Sequence, residues 1–214
     1  MPESPKIRLF SAAELAEEQR RGALILDTRP AEQFASLHIR GSIQISLMGH
    51  FAAWAAILIN PGQKLVLIAE DEKHAHEAQN RLARVGVQLI LGYSLPDEQA
   101  WRKEGFDLTS IPTHRVATVA PILQSEPRLQ FIDVRSRAEW LRGHLPGAIS
   151  LPLLDLDAAG ARLPPSRQNL VYCHEGYRAT TAASILLREN AGEVGILLDG
   201  IEGWCASGLP LENS

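Results

Sequence analysis

Cysteine is scarce. The 214-residue chain has two, Cys173 and Cys205, and none in its first half. Two thiols cannot build a disulfide framework, nor a zinc site that needs three or four cysteine ligands. Positive charge is not in excess either. Basic residues number 21 and acidic residues 25, a net charge of −4, so nucleic acid is not an expected partner. Long apolar runs are missing too. The longest, Phe51 to Ile59, falls well short of the ~20 residues that span a bilayer. Met1 to Phe10 lacks the apolar core of an export signal. These absences point to a cytoplasmic protein with no membrane partner. What remains is 45% hydrophobic and 21% charged, the composition of an ordinary globular chain, long enough for one large domain or two small ones.

The chain repeats itself. Leu24-Ile25-Leu26-Asp27-Thr28-Arg29 returns as Gln130-Phe131-Ile132-Asp133-Val134-Arg135, an offset of 106 residues. His38, Gly41 and Ile43 return as His144, Gly147 and Ile149, and Trp101 as Trp204. A repeat of this length is a duplicated domain and not a solenoid unit. The boundary is expected near Ser110-Ile111-Pro112-Thr113, where proline suits a linker. The expected domains are residues 1–111 and 112–214.

Each copy alternates short apolar runs with helical spacing. In the first, Ser11-Ala12-Ala13-Glu14 has capping-box spacing and opens a helix to about Arg20. Leu24 to Leu26, Ile43 to Leu47 and Leu65 to Ile68 read as strands; Ala31 to Leu37 and His74 to Val85 read as helices. In the second, Leu129 to Ile132, Leu170 to Tyr172 and Ile196 to Leu198 read as strands, with helices over Ala138 to Arg142 and Ala179 to Arg188. The alternation predicts an α/β fold, each copy a mainly parallel sheet flanked by helices on both faces. Ligands of such sheets bind beyond the carboxyl ends of the strands.

One such end carries chemistry. After Leu170-Val171-Tyr172 come Cys173-His174-Glu175-Gly176-Tyr177-Arg178, then a helix. Gly176 lets the loop curl, and a curled backbone can turn several N–H groups inward as an anion nest. The helix adds its positive N-terminal end and Arg178 a full charge. All three favour thiolate over thiol, so Cys173 is expected to titrate below a free thiol and to act as a nucleophile. The bland alternative is a buried structural cysteine.

Copy two resembles a rhodanese domain over nearly its whole length. The resemblance rests on Asp133-Val134-Arg135, Glu139-Trp140, Gly143-His144-Leu145-Pro146-Gly147-Ala148-Ile149, the Cys173-to-Arg178 loop, Leu198-Asp199-Gly200, Gly203-Trp204 and Gly208-Leu209-Pro210. The whole chain is similar to the tandem-domain rhodanese sulfurtransferases, in which only the C-terminal copy carries the cysteine. The resemblance implies two rhodanese-like domains, the second catalytic. Cys173 would take a sulfane sulfur from thiosulfate, a persulfide or 3-mercaptopyruvate, hold it as a persulfide, and pass it to a thiol, cyanide or another protein. No cofactor or metal is called for.

The remaining loop residues, His174, Glu175, Gly176, Tyr177 and Arg178, are read as substrate-binding, with Arg178 stabilising the anion. Glu175 argues against a dianionic donor. Asp133, Arg135 and His144 recur as Asp27, Arg29 and His38 in a copy without a nucleophile, so they read as architectural. In copy one, Ile68 is expected at the place of Cys173, followed by three acids among Ala69-Glu70-Asp71-Glu72-Lys73. Cys205 is an incidental thiol or a redox partner. Two rivals stand: a non-catalytic binding or regulatory module, and a cysteine-dependent phosphatase. The second is disfavoured because only four residues separate Cys173 from Arg178, a loop short for a phosphate.

Overall fold

The computed structural model describes residues 6–123, 125–158, 163, 167–190 and 192–213. Residues 1–5 of the Met1–Phe10 segment lie outside the described residues. The chain divides into two compact units, Met1–Thr109 and Ser110–Ser214. The first holds α1 (Ala12–Arg20), β1 (Leu24–Asp27), α2 (Ala31–Ser36), β2 (His38–Ile39), β3 (Ile43–Gln44) and α3 (Phe51–Leu58). It continues with β4 (Leu65–Ile68), α4 (Glu72–Ala83), β5 (Ile90–Ser94), α5 (Glu98–Lys103) and β6 (Leu108–Thr109). The second holds β7 (Thr113–His114), α6 (Val116–Val119), β8 (Leu129–Asp133), α7 (Arg137–Trp140) and β9 (Ile149–Ser150). After it come β10 (Gln168–Tyr172), α8 (Tyr177–Arg188), β11 (Val194–Leu197) and α9 (Gly200–Ala206).

Both units are parallel sheets flanked by helices, the α/β architecture the alternation predicts. The strand order is β3-β1-β4-β5 in the first and β7-β11-β10-β8-β9 in the second. Read from the other edge, the second order is the first with one strand added. Even that strand has a trace in unit one, where Leu9 bridges Tyr93 in parallel. Every residue of β1 and β4 is buried, as expected of strands covered on both faces. Each sheet packs a core closed by its own tryptophan: Trp101 with Phe10, Leu15 and Val66 in unit one, and Trp204 with Phe131, Leu170 and Tyr172 in unit two.

The predicted capping box forms. Ser11 Oγ accepts from the Glu14 amide, and the Glu14 carboxylate accepts from the Ser11 amide at 2.9 Å. The apolar run Phe51 to Ile59 folds as α3 and buries Phe51, Ala55 and Ile59, spaced by four, while Ala53, Ala56 and Ile57 stay exposed. Among the described residues no helix is long and apolar enough to cross a membrane.

The Asp-x-Arg pairs are structural in both units. Arg135 donates to both oxygens of Asp133 and to the Gly143 carbonyl at 2.8 Å. Arg29 does the same with Asp27 and the Leu37 carbonyl at 3.0 Å. All four side chains are nearly sealed from water. Each pair thus ties a strand end to the chain that follows the next helix. The two histidines also match. His38 stacks on Phe34 and His144 on Trp140, with ring centroids 3.9 and 3.5 Å apart. Burial pulls His38 down to about 4, so it stays neutral near pH 7.

Candidate active site

Cys173 follows β10, which lies between β11 and β8 in the sheet. The preceding Tyr172 is locked in place. Its hydroxyl donates to Asp133 at 2.7 Å and accepts from the Leu145 amide at 3.1 Å. Burial, then the Asp133 charge, push that hydroxyl far above the usual tyrosine range. Cys173 itself is 1% exposed and is a free thiol.

Four residues separate the end of β10 from the start of α8. His174 and Glu175 are exposed, Gly176 is buried, and Tyr177 and Arg178 are half-buried. Gly176 takes the left-handed conformation, φ 84°, as the N-cap of α8. Glycine has no Cβ to oppose that turn. It also makes α8 a helix without a side-chain cap. The first amides of any helix have no partner inside it. Among the described residues, no acceptor takes the N–H of His174, Glu175 or Gly176. The loop thus ends on a helix start whose positive end is uncapped by its own side chain.

The other side of the loop is held by α9. The Ile201 amide donates to the Cys173 carbonyl at 2.9 Å and the Glu202 amide to the His174 carbonyl at 3.4 Å. Gly200 makes this docking possible, because a Cβ there would collide with both of those carbonyl oxygens. The docking sets His174 beside Glu202, Nδ1 to carboxylate 3.5 Å.

Arg178 is engaged by a residue to which the sequence reading gave no role. Its Nη1 and Nη2 donate to the two oxygens of Glu139, each at 2.8 Å. Glu139 is preset by a second capping box, accepting from the Ser136 amide at 2.9 Å and hydroxyl at 2.7 Å. The Arg178 hydrogen bonds, above all, hold the Glu139 carboxyl well below the usual carboxylate range. The Glu139 hydrogen bonds, above all, push the Arg178 guanidinium further above its ordinary value. The signal was legible: Ser136-x-x-Glu139 has the same spacing as Ser11-x-x-Glu14.

Of the loop, His174 lines a cleft of about 380 Å³, together with Arg135, Glu139, Arg142, Glu202 and Cys205 among others. Cys205 is exposed. His174, Glu175 and Glu202 bring ligand atoms within 4.8 Å of one another. One imidazole and two carboxylates could gather a divalent cation, though exposed groups of this kind also occur as plain surface.

Unit one shows what the site looks like without its nucleophile. Asp27 pairs with Ile68 in β1 and β4, and Asp133 with Tyr172 in β8 and β10. The residue matching Cys173 is therefore Ala69, not Ile68 as expected from the sequence. The offset shrinks between β1 and β4, which the apolar runs alone did not reveal. The following loop is one residue shorter, with α4 starting at Glu72. There the helix start is capped from within: Asp71 accepts from the His74 amide at 2.8 Å.

Parallel α/β sheets that present a strand-end loop and a helix start to a ligand form a broad class of enzymes and binding domains. Within it, the family description "Rhodanese-like domain" matches residues 11–95 and again 119–207. The chain belongs to the rhodanese family. It is 32% identical over 80 residues to a sulfurtransferase of Allochromatium vinosum, covering 37% of this chain and 75% of that protein. It is 29% identical over 93 residues to thiosulfate sulfurtransferase 16, chloroplastic, of Arabidopsis thaliana, covering 38% of this chain and 78% of that one. It is 35% identical over 82 residues to the HTH-type transcriptional regulator Rv0324 of Mycobacterium tuberculosis, covering 38% of this chain but 36% of the regulator. The chain thus spans about a third of that regulator's length.

Proposed function

We propose that the protein is a sulfurtransferase in which residues 112–214 are catalytic and residues 1–111 a copy without a nucleophile. Cys173 accepts a sulfane sulfur, carries it as a persulfide and releases it to a thiol or cyanide acceptor. Thiosulfate, a persulfide and 3-mercaptopyruvate are the donor candidates. One observation carries the reading. The helix after Cys173 lacks a side-chain cap, whereas the matching helix of unit one is capped by Asp71. An uncapped helix start and loop amides without acceptors favour an anion there, and a thiolate or persulfide supplies one. His174, Glu175, Gly176 and Tyr177 form the loop wall that a donor meets. The chemistry needs no cofactor, and the cytoplasm is the proposed setting.

A binding or regulatory role without chemistry is the second reading, supported by the regulator among the relatives. A phosphatase is a weaker one, given the short loop. Cys173→Ser tests the first against both. The swap is nearly isosteric, so the circular dichroism spectrum should be unchanged. Intact mass spectrometry should show one added sulfur on the native chain after donor treatment and none on the variant. Sulfur transfer by the serine variant would overturn the proposal.

A further inference from the structure

Two acids meet where the Cys173 loop touches α9. Glu175 lies on the loop and Glu202 on α9, both exposed. Neither has an arginine or lysine partner among the described residues. Other surface carboxylates do meet a guanidinium, as Asp107 meets Arg40 and Glu98 meets Arg102. The arginines of the adjoining cleft, Arg135 and Arg142, pair with neither acid. His174 stands with the two carboxylates, and one ligand atom from each of the three lies within 4.8 Å of the others. The backbone fixes this meeting. His174 and Glu175 are consecutive in the loop, and the Glu202 amide donates to the His174 carbonyl at 3.4 Å. The His174 Nδ1 is 3.5 Å from a Glu202 oxygen. That is long for a hydrogen bond. It is the spacing of two ligands on one ion, which stand about 3.3–3.6 Å apart around a tetrahedral zinc with ligand distances of ~2.0–2.2 Å.

We propose that His174, Glu175 and Glu202 bind one divalent transition-metal cation of the zinc class, which braces the Cys173 loop against α9. An imidazole nitrogen with two carboxylate oxygens suits zinc, cobalt or nickel ions, whereas magnesium and calcium ions favour oxygen ligands alone. His174 and Glu202 already hold the spacing, and Glu175 completes the set by turning an exposed side chain. The ion also relieves the repulsion between two neighbouring carboxylates. Three protein ligands leave the rest of the coordination sphere to water. The ion takes no part in sulfur transfer, and the site stands whether or not the loop transfers sulfur. Its effect is mechanical. Cys173 is 1% exposed, so a reagent reaches the thiol only when its surroundings open. An ion ligated from both the loop and α9 opposes their parting.

Two measurements on the full chain test this. First, zinc is titrated calorimetrically into the chain carrying Cys173→Ser and Cys205→Ser, so that neither thiol can take the metal. One equivalent should bind. His174→Ala and Glu202→Gln, each added to that background, should weaken binding at least about tenfold, since even the partners behind a metal ligand are worth about 10–100-fold in affinity. Both positions are exposed, so the circular dichroism spectrum should not change. Excess magnesium should not displace the zinc. Absence of binding, undiminished binding in either variant, or displacement by magnesium overturns the site. Second, alkylation of Cys173 by iodoacetamide is followed in Cys205→Ser with and without zinc. At zinc ten times its dissociation constant, labelling should slow about tenfold, because opening must first release the ion. With Glu202→Gln added, the same zinc should slow it no more than about twofold. Equal slowing with and without Glu202→Gln would put the ion on the thiol itself and overturn the brace. So would a labelling rate that zinc does not change.

Discussion

Glu139 links the Cys173 loop to the capping box that precedes it. Its carboxyl is held low first by the two Arg178 hydrogen bonds and then by Ser136. The folded chain therefore binds that proton more weakly than the unfolded chain. The resulting stabilisation is complete above the unfolded carboxyl value of about 4.3 and is lost as pH falls toward the folded one. Glu139→Gln should cost about 1.5–3 kcal/mol at neutral pH, the range for hydrogen bonds to a charged group. The stability difference from the native chain should hold flat down to about pH 5 and then shrink. Urea denaturation at a series of pH values measures it. A difference that does not change with acid would mean the ionised Glu139 carboxylate is not the source of the stabilisation.

At the scale of elements, the two units share a strand order and differ at one helix start. In unit one α4 follows Ala69 after a loop shorter by one residue and is capped by Asp71. In unit two α8 follows Gly176 and carries no side-chain cap. A cysteine alone should therefore not make the first copy active. We expect Ala69→Cys in a Cys173→Ser background to stay inert in sulfur transfer, since Asp71 already occupies the helix end where the sulfur anion would need to sit. Donor-dependent mass gain on the new thiol would show that the cap and loop length do not matter. The same comparison explains a misplacement from the sequence. The offset of 106 residues set by Asp27 and Asp133 does not hold through the next strand. Only the pairing of Asp27 with Ile68 and Asp133 with Tyr172 assigns Ala69 to the cysteine's place.

At the scale of the molecule, one core cluster of the first unit surrounds Trp101 and one of the second unit surrounds Trp204. Trp204 sits on α9, the helix whose amides hold the Cys173 and His174 carbonyls. Removing its ring should cost about 3–5 kcal/mol, the range for a buried aromatic truncated to alanine. We expect Trp204→Ala to speed labelling of Cys173 by a thiol reagent in mild denaturant, and Trp101→Ala to leave that rate near the native value. Equal acceleration by both variants would mean the two cores open as one cooperative unit.

The sequence by itself determined the duplication, the α/β alternation, the strand that ends at Cys173 and the glycine that turns the loop. Each is a local property: a periodicity, a spacing, or a residue whose backbone freedom is intrinsic. It also exposed Asp133, Arg135 and His144 as structural, because a copy without a thiol retains them. The tertiary structure decided what the charges do. The bond between Glu139 and Arg178 joins residues 39 positions apart, and the proximity of Glu202 to His174 depends on α9 docking against the loop. Side chains far apart in sequence meet only once the strands are registered and the helices packed. Which cations are already neutralised, and which remain for a ligand, is therefore settled by packing and not by composition.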